Sequence, residues 1–239
     1  MTAAAPLHGM LLIDKPRGMT SHDVVQVVRR KLGIRRIGHT GTLDPMAQGL
    51  LILLVGSATK SQHALQGHEK VYEATLCLGI QTDTGDAMGR TIRTAPVAPL
   101  ERGRVEAVLG SFQGPLSQTP PAYSAIKVQG RPAYWWTRRQ QPVTLSARTV
   151  HLFDVALIGC EEQAITFRVR CSAGTYVRTL AESIAERLGT VGHLAGLTRL
   201  SVGAWRLEEA KPLSWVAGAD PAHVADALRP VDVPAHASR

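Results

Sequence analysis

An α+β fold built on a mixed, mainly antiparallel sheet flanked by helices is what this sequence predicts, and three observations predict it. Segments 70–78 and 164–171 alternate apolar and polar residues, the period of a half-buried strand, whereas 9–14 and 50–55 are short apolar runs of the kind buried on both faces. Helical periodicity bounded by start and stop residues is confined to a few stretches, chiefly 21–32 and 176–188. Strand-like and helix-like segments follow one another without a βαβ rhythm or an internal repeat, which argues against a parallel, doubly wound sheet.

The first strand, Gly9 to Asp14, ends at Lys15-Pro16-Arg17-Gly18, where Pro and Gly mark a turn. Thr20 or Ser21 then caps a helix with Asp23 in its first turn, apolar residues at Val24, Val25, Val27, Val28 and Leu32, and Gly33 as terminator. Arg29, Arg30, Lys31, Arg35 and Arg36 crowd the end of that helix; they complement its dipole and also make a phosphate-sized patch. Residues 38–49 read as a loop, 50–55 as a buried strand and 57–66 as a short helix. A nucleotide-binding P-loop is excluded over 56–61, because the required Gly-Lys-Ser/Thr order is absent.

In 70–78, Tyr72, Ala74, Leu76 and Leu78 share one face and Glu73, Thr75 and Cys77 the other. A loop over 81–90, a helix over 100–109 and, after Pro120-Pro121, a strand over 123–128 follow. Residues 131–141 interleave Tyr134, Trp135 and Trp136 with Arg138 and Arg139 between two chain breakers; they read either as an arm that touches RNA or as an ordinary helix burying its tryptophans. Strands are predicted over 148–158 and 164–171, the latter with Ile165, Phe167, Val169 and Cys171 inward and Arg168 and Arg170 outward. A helix over 176–188 stops at Gly189, and 193–205 forms a last strand region. The tail beyond Lys211-Pro212, with weak helical signals over 222–228, is too short for a second domain.

The 239 residues are 44% hydrophobic and 19% charged, which excludes disorder, collagen and coiled coil. No apolar run is long enough to span a bilayer, and 1–9 lacks the regions of a secretion signal, so a cytoplasmic protein with no membrane association is expected. Cys77, Cys160 and Cys171 have neither disulfide nor zinc-site spacing and are expected as core thiols. The formal charge of +8, with 21 of 27 cations arginine, favours a polyanionic partner and, through arginine's planar fork and flat face, leans towards nucleic acid.

Titratable and stacking residues gather in three places: the loop His39-Thr40-Gly41-Thr42-Leu43-Asp44-Pro45, the strand residue Tyr72, and the turn Ser172-Ala173-Gly174-Thr175-Tyr176-Val177-Arg178. Taken singly each has a structural reading: Asp44-Pro45 as a turn, Tyr72 as a core aromatic, Arg178 as cover for a helix surface. Taken together, Ile37 to Leu51, Gly56-Ser57-Ala58-Thr59-Lys60, Lys70-Val71-Tyr72-Glu73-Ala74, Thr82-Asp83-Thr84-Gly85-Asp86, Pro120 to Lys127 and Cys171 to Arg178 closely resemble the TruB family of bacterial tRNA pseudouridine-55 synthases. The match runs in the family's order from about Gly9 to Ser201.

The resemblance implies a pseudouridine synthase fold over 1–210 with a thumb-like, RNA-gripping insert at about 128–148, and a tail over 211–239 without the full PUA domain that many relatives carry. It implies isomerisation of the T-loop uridine at position 55 by base flipping. Asp44 stands at the catalytic aspartate position, where it either attacks C1′ or takes the 2′ proton; Arg178 is its arginine partner. Tyr72 stacks on the uracil and is a proposed acceptor for the C5 proton. His39 helps hold the opened loop, Leu197 packs at the pocket wall, Tyr176 supports it, Lys15 belongs to a bracing loop, and Arg138 and Arg139 lie in the thumb. Neither metal nor organic cofactor is called for, since the reaction is an isomerisation and no dinucleotide or methyl-donor fingerprint is present. The expected partner is the tRNA T-arm, met by a monomer with no obligatory protein partner. Ala173 departs from the lysine of many relatives, so a phosphate contact is either lost or supplied by Arg168 or Arg170; Thr198 replaces a common basic residue. The alternative is a tRNA-binding folding chaperone whose catalysis is secondary. A guide-dependent synthase of the dyskerin type, which requires protein partners, fits less well, because those relatives usually lack the His39-Thr40 form.

Overall fold

The computed structural model describes residues 7–141 and 143–231, which divide into two compact units. The first unit comprises the chain up to His68 and again from Thr198 onward; the second is Glu69–Leu197.

The first unit begins with β1 (Gly9–Lys15), α1 (Ser21–Leu32), β2 (Ile37–His39) and β3 (Gln48–Val55), followed by a 3₁₀ turn over Gly56–Ser61 and α2 (Gln62–Gln66). β3 pairs antiparallel with β1, Ile13 opposite Leu51, and with β2, His39 opposite Leu53. From Gly49 to Val55 it is buried without interruption, as its apolar run predicts. Leu50, Ile52 and Leu54 pack with Met10, Leu12, Ala58, Leu65 and Val202. The loop predicted over 38–49 is shorter than expected, because β2 claims its first residues and β3 starts at Gln48. Thr20 is the N-cap of α1: its hydroxyl accepts from the Asp23 backbone N–H and Asp23 bonds back, while Gly33 at φ 67° closes the helix in the left-handed conformation that glycine adopts without strain.

In the second unit β4 (Lys70–Leu78) alternates buried and half-buried residues as predicted. β5 (Ile80–Thr82) and β6 (Thr91–Thr94) form a hairpin, so the predicted 81–90 loop shrinks to the connection between them. α3 (Arg102–Gly110) leads to β7 (Gly114–Gln118), an edge strand that pairs with β10, where Pro115 is tolerated. The strand predicted over 123–128 is absent except for β8 (Lys127–Val128), paired with β9 (Arg131–Pro132). The carbonyls of Ser124 and Ile126 instead accept from the N–H groups of Tyr134 and Ala133 at the start of α4 (Ala133–Thr137). β10 (Arg148–Cys160) and β11 (Ala164–Cys171) pair antiparallel, and β11 pairs antiparallel with β4, Tyr72 opposite Val169. α5 (Val177–Arg187) follows. Cys171 is buried, and burial pushes its thiol up to about 11, but Cys77 and Cys160 are only half-buried. The core-thiol expectation therefore fails for those two. Cys77 sits on the outward register of β4 with Glu73 and Thr75.

β12 (Gly192–Val202) begins in the second unit and ends in the first, where Thr198 and Arg199 pair parallel with Gln48 and Gly49. β13 (Trp205–Arg206), a 3₁₀ turn at Leu207–Glu209, β14 (Lys211–Pro212), α6 (Leu213–Gly218) and α7 (Pro221–Asp226) complete the first unit. β14 adds to β1 in parallel, and Lys31 of α1 donates to the Ala219 carbonyl, so residues 211–231 are knitted to the start of the chain. The rest of the predicted tail, 232–239, and residues 1–6 of the predicted start lie outside the described residues.

Candidate active site

Asp44 sits in the 40–47 segment between β2 and β3, half-buried, and the loop around it is tied down on every side. Before it, the Gly41 carbonyl accepts from Arg199 Nη2 at 3.1 Å, and the Leu43 N–H donates to Ser21 Oγ at 2.8 Å while that hydroxyl donates to the Leu43 carbonyl at 3.1 Å. After it, the Pro45 carbonyl accepts from Gly18 N–H at 2.7 Å and the Met46 carbonyl from Arg17 Nε at 3.2 Å. The Ala47 N–H closes a turn onto the Asp44 carbonyl at 3.0 Å. Each of these anchors uses loop backbone, so the position of the loop is set through main-chain atoms.

The 16–20 turn that supplies two of those anchors is itself held by Lys15. Its ammonium is fully buried and donates to the carbonyls of Pro16 at 3.0 Å and Met19 at 2.6 Å. Burial pushes the Lys15 ammonium down to about 8; the nearby Asp44 charge pulls it up and Arg199 pushes it down. His39 is also lowered, by burial first and then by Arg199 and His22, which leaves a neutral imidazole near pH 7. Its Nδ1 is buried without a hydrogen-bond partner. The first unit thus brings Asp44 and Lys15 within electrostatic reach, with His39 on β2 and Arg199 coupled to both Lys15 and His39.

The other predicted site residues belong to the second unit. Tyr72 is 8% exposed, on the buried face of β4. Arg178, in the first turn of α5, is 4% exposed; its guanidinium donates to the carbonyls of Thr84 at 2.9 Å and Tyr123 at 2.8 Å, with the Asp86 carboxylate 3.9 Å away. Tyr176 precedes α5, and its backbone exchanges hydrogen bonds with the Gln118 side chain. Leu197 is half-buried at the last position of β12 within this unit. Arg138 and Arg139 are exposed and lie against aromatic rings, Arg139 3.9 Å above Trp135 and Arg138 5.6 Å from Tyr134, while Trp136 donates to the Val128 carbonyl. The two readings of 131–141 therefore merge: a short helix half-buries both tryptophans and still presents an arginine–aromatic surface.

Arg168 and Arg170, one of the two alternatives for the phosphate contact at Ala173, the other being its loss, are paired with Glu73 at 3.3 Å and Glu69 at 3.2 Å. The cation at that turn is Arg148, which donates to the Gly174 carbonyl and lies 5.0 Å from the Tyr176 ring. Ser21, Arg17, Arg148 and Arg199 were not among the predicted site residues. Arg199 carried a signal, the one Arg or Lys in the strand region predicted over 193–205; Ser21 was concealed by its neighbour Thr20, which does the capping. Among the described residues no cluster of His, Cys, Asp and Glu is arranged to hold a metal, and no helix is long and apolar enough to cross a membrane.

Residues 29–177 match the pattern described as TruB family pseudouridylate synthase (N terminal domain). A protein of Burkholderia lata named tRNA pseudouridine synthase B is 48% identical over 95% of this chain and 70% of its own length. Its namesake from Hydrogenovibrio crunogenus is 42% identical over 95% of this chain and 74% of its own. Among solved structures, a chain from a Cbf5-Nop10-Gar1 complex superposes with a TM-score of 0.71 at 27% identity, over 94% of this chain; this chain spans 60% of that one's length. By pattern, identity and fold together, the chain belongs to the TruB family of pseudouridylate synthases.

Proposed function

We propose that this enzyme isomerises uridine 55 in the T-loop of tRNA to pseudouridine, after extruding the base from the folded arm. The observation that carries the reading is the Asp44 loop: one carboxylate on a backbone braced from both sides, with a buried ammonium in electrostatic reach. The names of the relatives support tRNA as the substrate, and the net charge of +8 supports a polyanion. We assign the catalytic work to residues 1–210, with 128–148 as the RNA-gripping insert, in a cytoplasmic monomer that needs no protein partner.

The reaction breaks the bond between ribose C1′ and uracil N1, turns the base and joins C5 to C1′; the C5 proton is released and N1 ends with a hydrogen, so nothing is oxidised or transferred. Asp44 works on the sugar, either as nucleophile at C1′ or as base towards the 2′ position. The attraction between Lys15 and Asp44 is mutual, so the ammonium favours the carboxylate form. Arg178 pairs with and orients that carboxylate. Tyr72 stacks on the uracil, which returns about 1–3 kcal/mol of the cost of flipping, and takes the C5 proton directly or through water. His39, neutral and with a free Nδ1, hydrogen-bonds the opened loop. Leu197 packs at the pocket wall with Tyr176 as a nearby support, and Arg138 and Arg139 grip the T-arm.

The test is tritium release from an unmodified tRNA transcript labelled at uracil C5. Release is expected from the natural transcript and not from one with cytidine at position 55; release undiminished by that change overturns the position. A folded protein that binds the transcript but releases nothing transfers the reading to the folding chaperone. The same assay has a pH signature. Lys15 is charged below about pH 8 and neutral above it, so turnover is expected to fall on the alkaline side with a midpoint near that value. Lys15→Met should be slower at every pH and lack the limb; an unchanged limb in that variant would remove Lys15 as its source.

A further inference from the structure

We infer that Arg199 is a positioning residue of the isomerisation: its guanidinium ties the start of the loop that carries Asp44 to the strand that follows it. The inference rests on the reading of Asp44 as the catalytic carboxylate. Arg199 is 1% exposed, and its donors go to backbone carbonyls, Nε to Leu50 at 2.7 Å and Nη2 to Gly41 at 3.1 Å. Gly41 lies three residues before Asp44, and Leu50, six after it, is the third residue of β3, so one planar group ties the start of the loop to the strand that follows it. The backbone is equally committed. Arg199 pairs with Gly49, whose φ is +100° and where an added Cβ would lie 2.5 Å from the Arg199 carbonyl oxygen. The two chains therefore meet too closely there for any side chain.

A buried cation is costly unless its donors are satisfied, and a hydrophobic residue would fill a strand interior at lower cost. What an arginine supplies here is a rigid fork that fixes the separation of two carbonyls. Lysine keeps the charge but lacks the planar fork that sets the spacing of the two carbonyls; glutamine keeps polarity and loses the charge. Because a misplacement of about 1 Å can cost on the order of 10²-fold in rate, the effect belongs in kcat and not in RNA affinity.

The experiment measures kcat and KM for tritium release, per folded enzyme, for Arg199→Lys and Arg199→Gln, together with hydrogen exchange of the 40–48 segment and with Asp44→Asn in parallel. The expected result is a kcat loss of about tenfold for lysine and on the order of 10²-fold for glutamine, KM within about threefold, and faster exchange confined to 40–48. Should the glutamine variant fail to fold, the lysine variant carries the test. Wild-type kcat in the lysine variant while Asp44→Asn is inactive overturns the clamp. So does a loss confined to thermal stability, with loop exchange unchanged. An active Asp44→Asn overturns the underlying assignment of Asp44 instead, and the two failures are told apart by that variant alone.

Discussion

Asp44→Ala is expected to lower tritium release by on the order of 10⁴-fold or more while moving the unfolding midpoint by no more than about 5 °C. The separation follows from how the loop is built. Its anchors are the carbonyls of Gly41, Leu43, Pro45 and Met46 and the N–H of Leu43, held by Arg199, Ser21, Gly18 and Arg17. The turn at Asp44 itself uses its carbonyl, which accepts from Ala47. Alanine at 44 keeps all of these backbone bonds and removes the reacting group. Lys15 responds as well: it loses the charge that holds its pKa up, so the ammonium in the variant should titrate below about 8. Single-turnover release, calorimetric unfolding and tRNA binding measured on one preparation check all three. Turnover within tenfold of wild type would remove Asp44 from the chemistry.

The legible parts of this molecule are those in which a residue's neighbours in sequence decide its environment. β4 and β11 alternate because each has one buried face, and β3 is an apolar run because both of its faces are covered. The ends of α1 were readable from Thr20, Asp23 and Gly33, whose interactions are local. β7 was not, since Gly114 and Pro115 read as breakers and only pairing with β10 makes an edge strand of them. Over 123–128 apolar and aromatic residues suggest a strand, but their carbonyls are taken by the turn into α4. The site divides in the same way. Asp44 and Lys15 stand in a linear motif, whereas Arg199 reaches Gly41 across 158 positions and Ser21 reaches Leu43 across 22. Such residues act on backbone atoms, which have no residue type, so no pattern at the acceptor end marks them.

Arg178→Ala should be damaging on two separable counts. Turnover is expected to drop on the order of 10³-fold, because the partner proposed to orient the Asp44 carboxylate is gone. Stability should fall by about 3–5 kcal/mol, for a reason internal to the second unit. The guanidinium satisfies the carbonyls of Thr84 and Tyr123 and stands 3.9 Å from Asp86, both side chains under a tenth exposed. Without it a buried carboxylate keeps, among the described residues, the Thr84 hydroxyl and the Met88 N–H as donors. Glu182, raised by burial and pulled back by Gln81 and Arg178, also loses a favourable charge. If the orphaned Asp86 charge causes the instability, adding Asp86→Asn to Arg178→Ala should recover a substantial part of the lost midpoint, because an amide is cheaper to bury than a carboxylate. Turnover should stay low in that double variant. Recovery of both would make Arg178 a support for the fold alone; recovery of stability without turnover separates its structural duty from its part in the reaction.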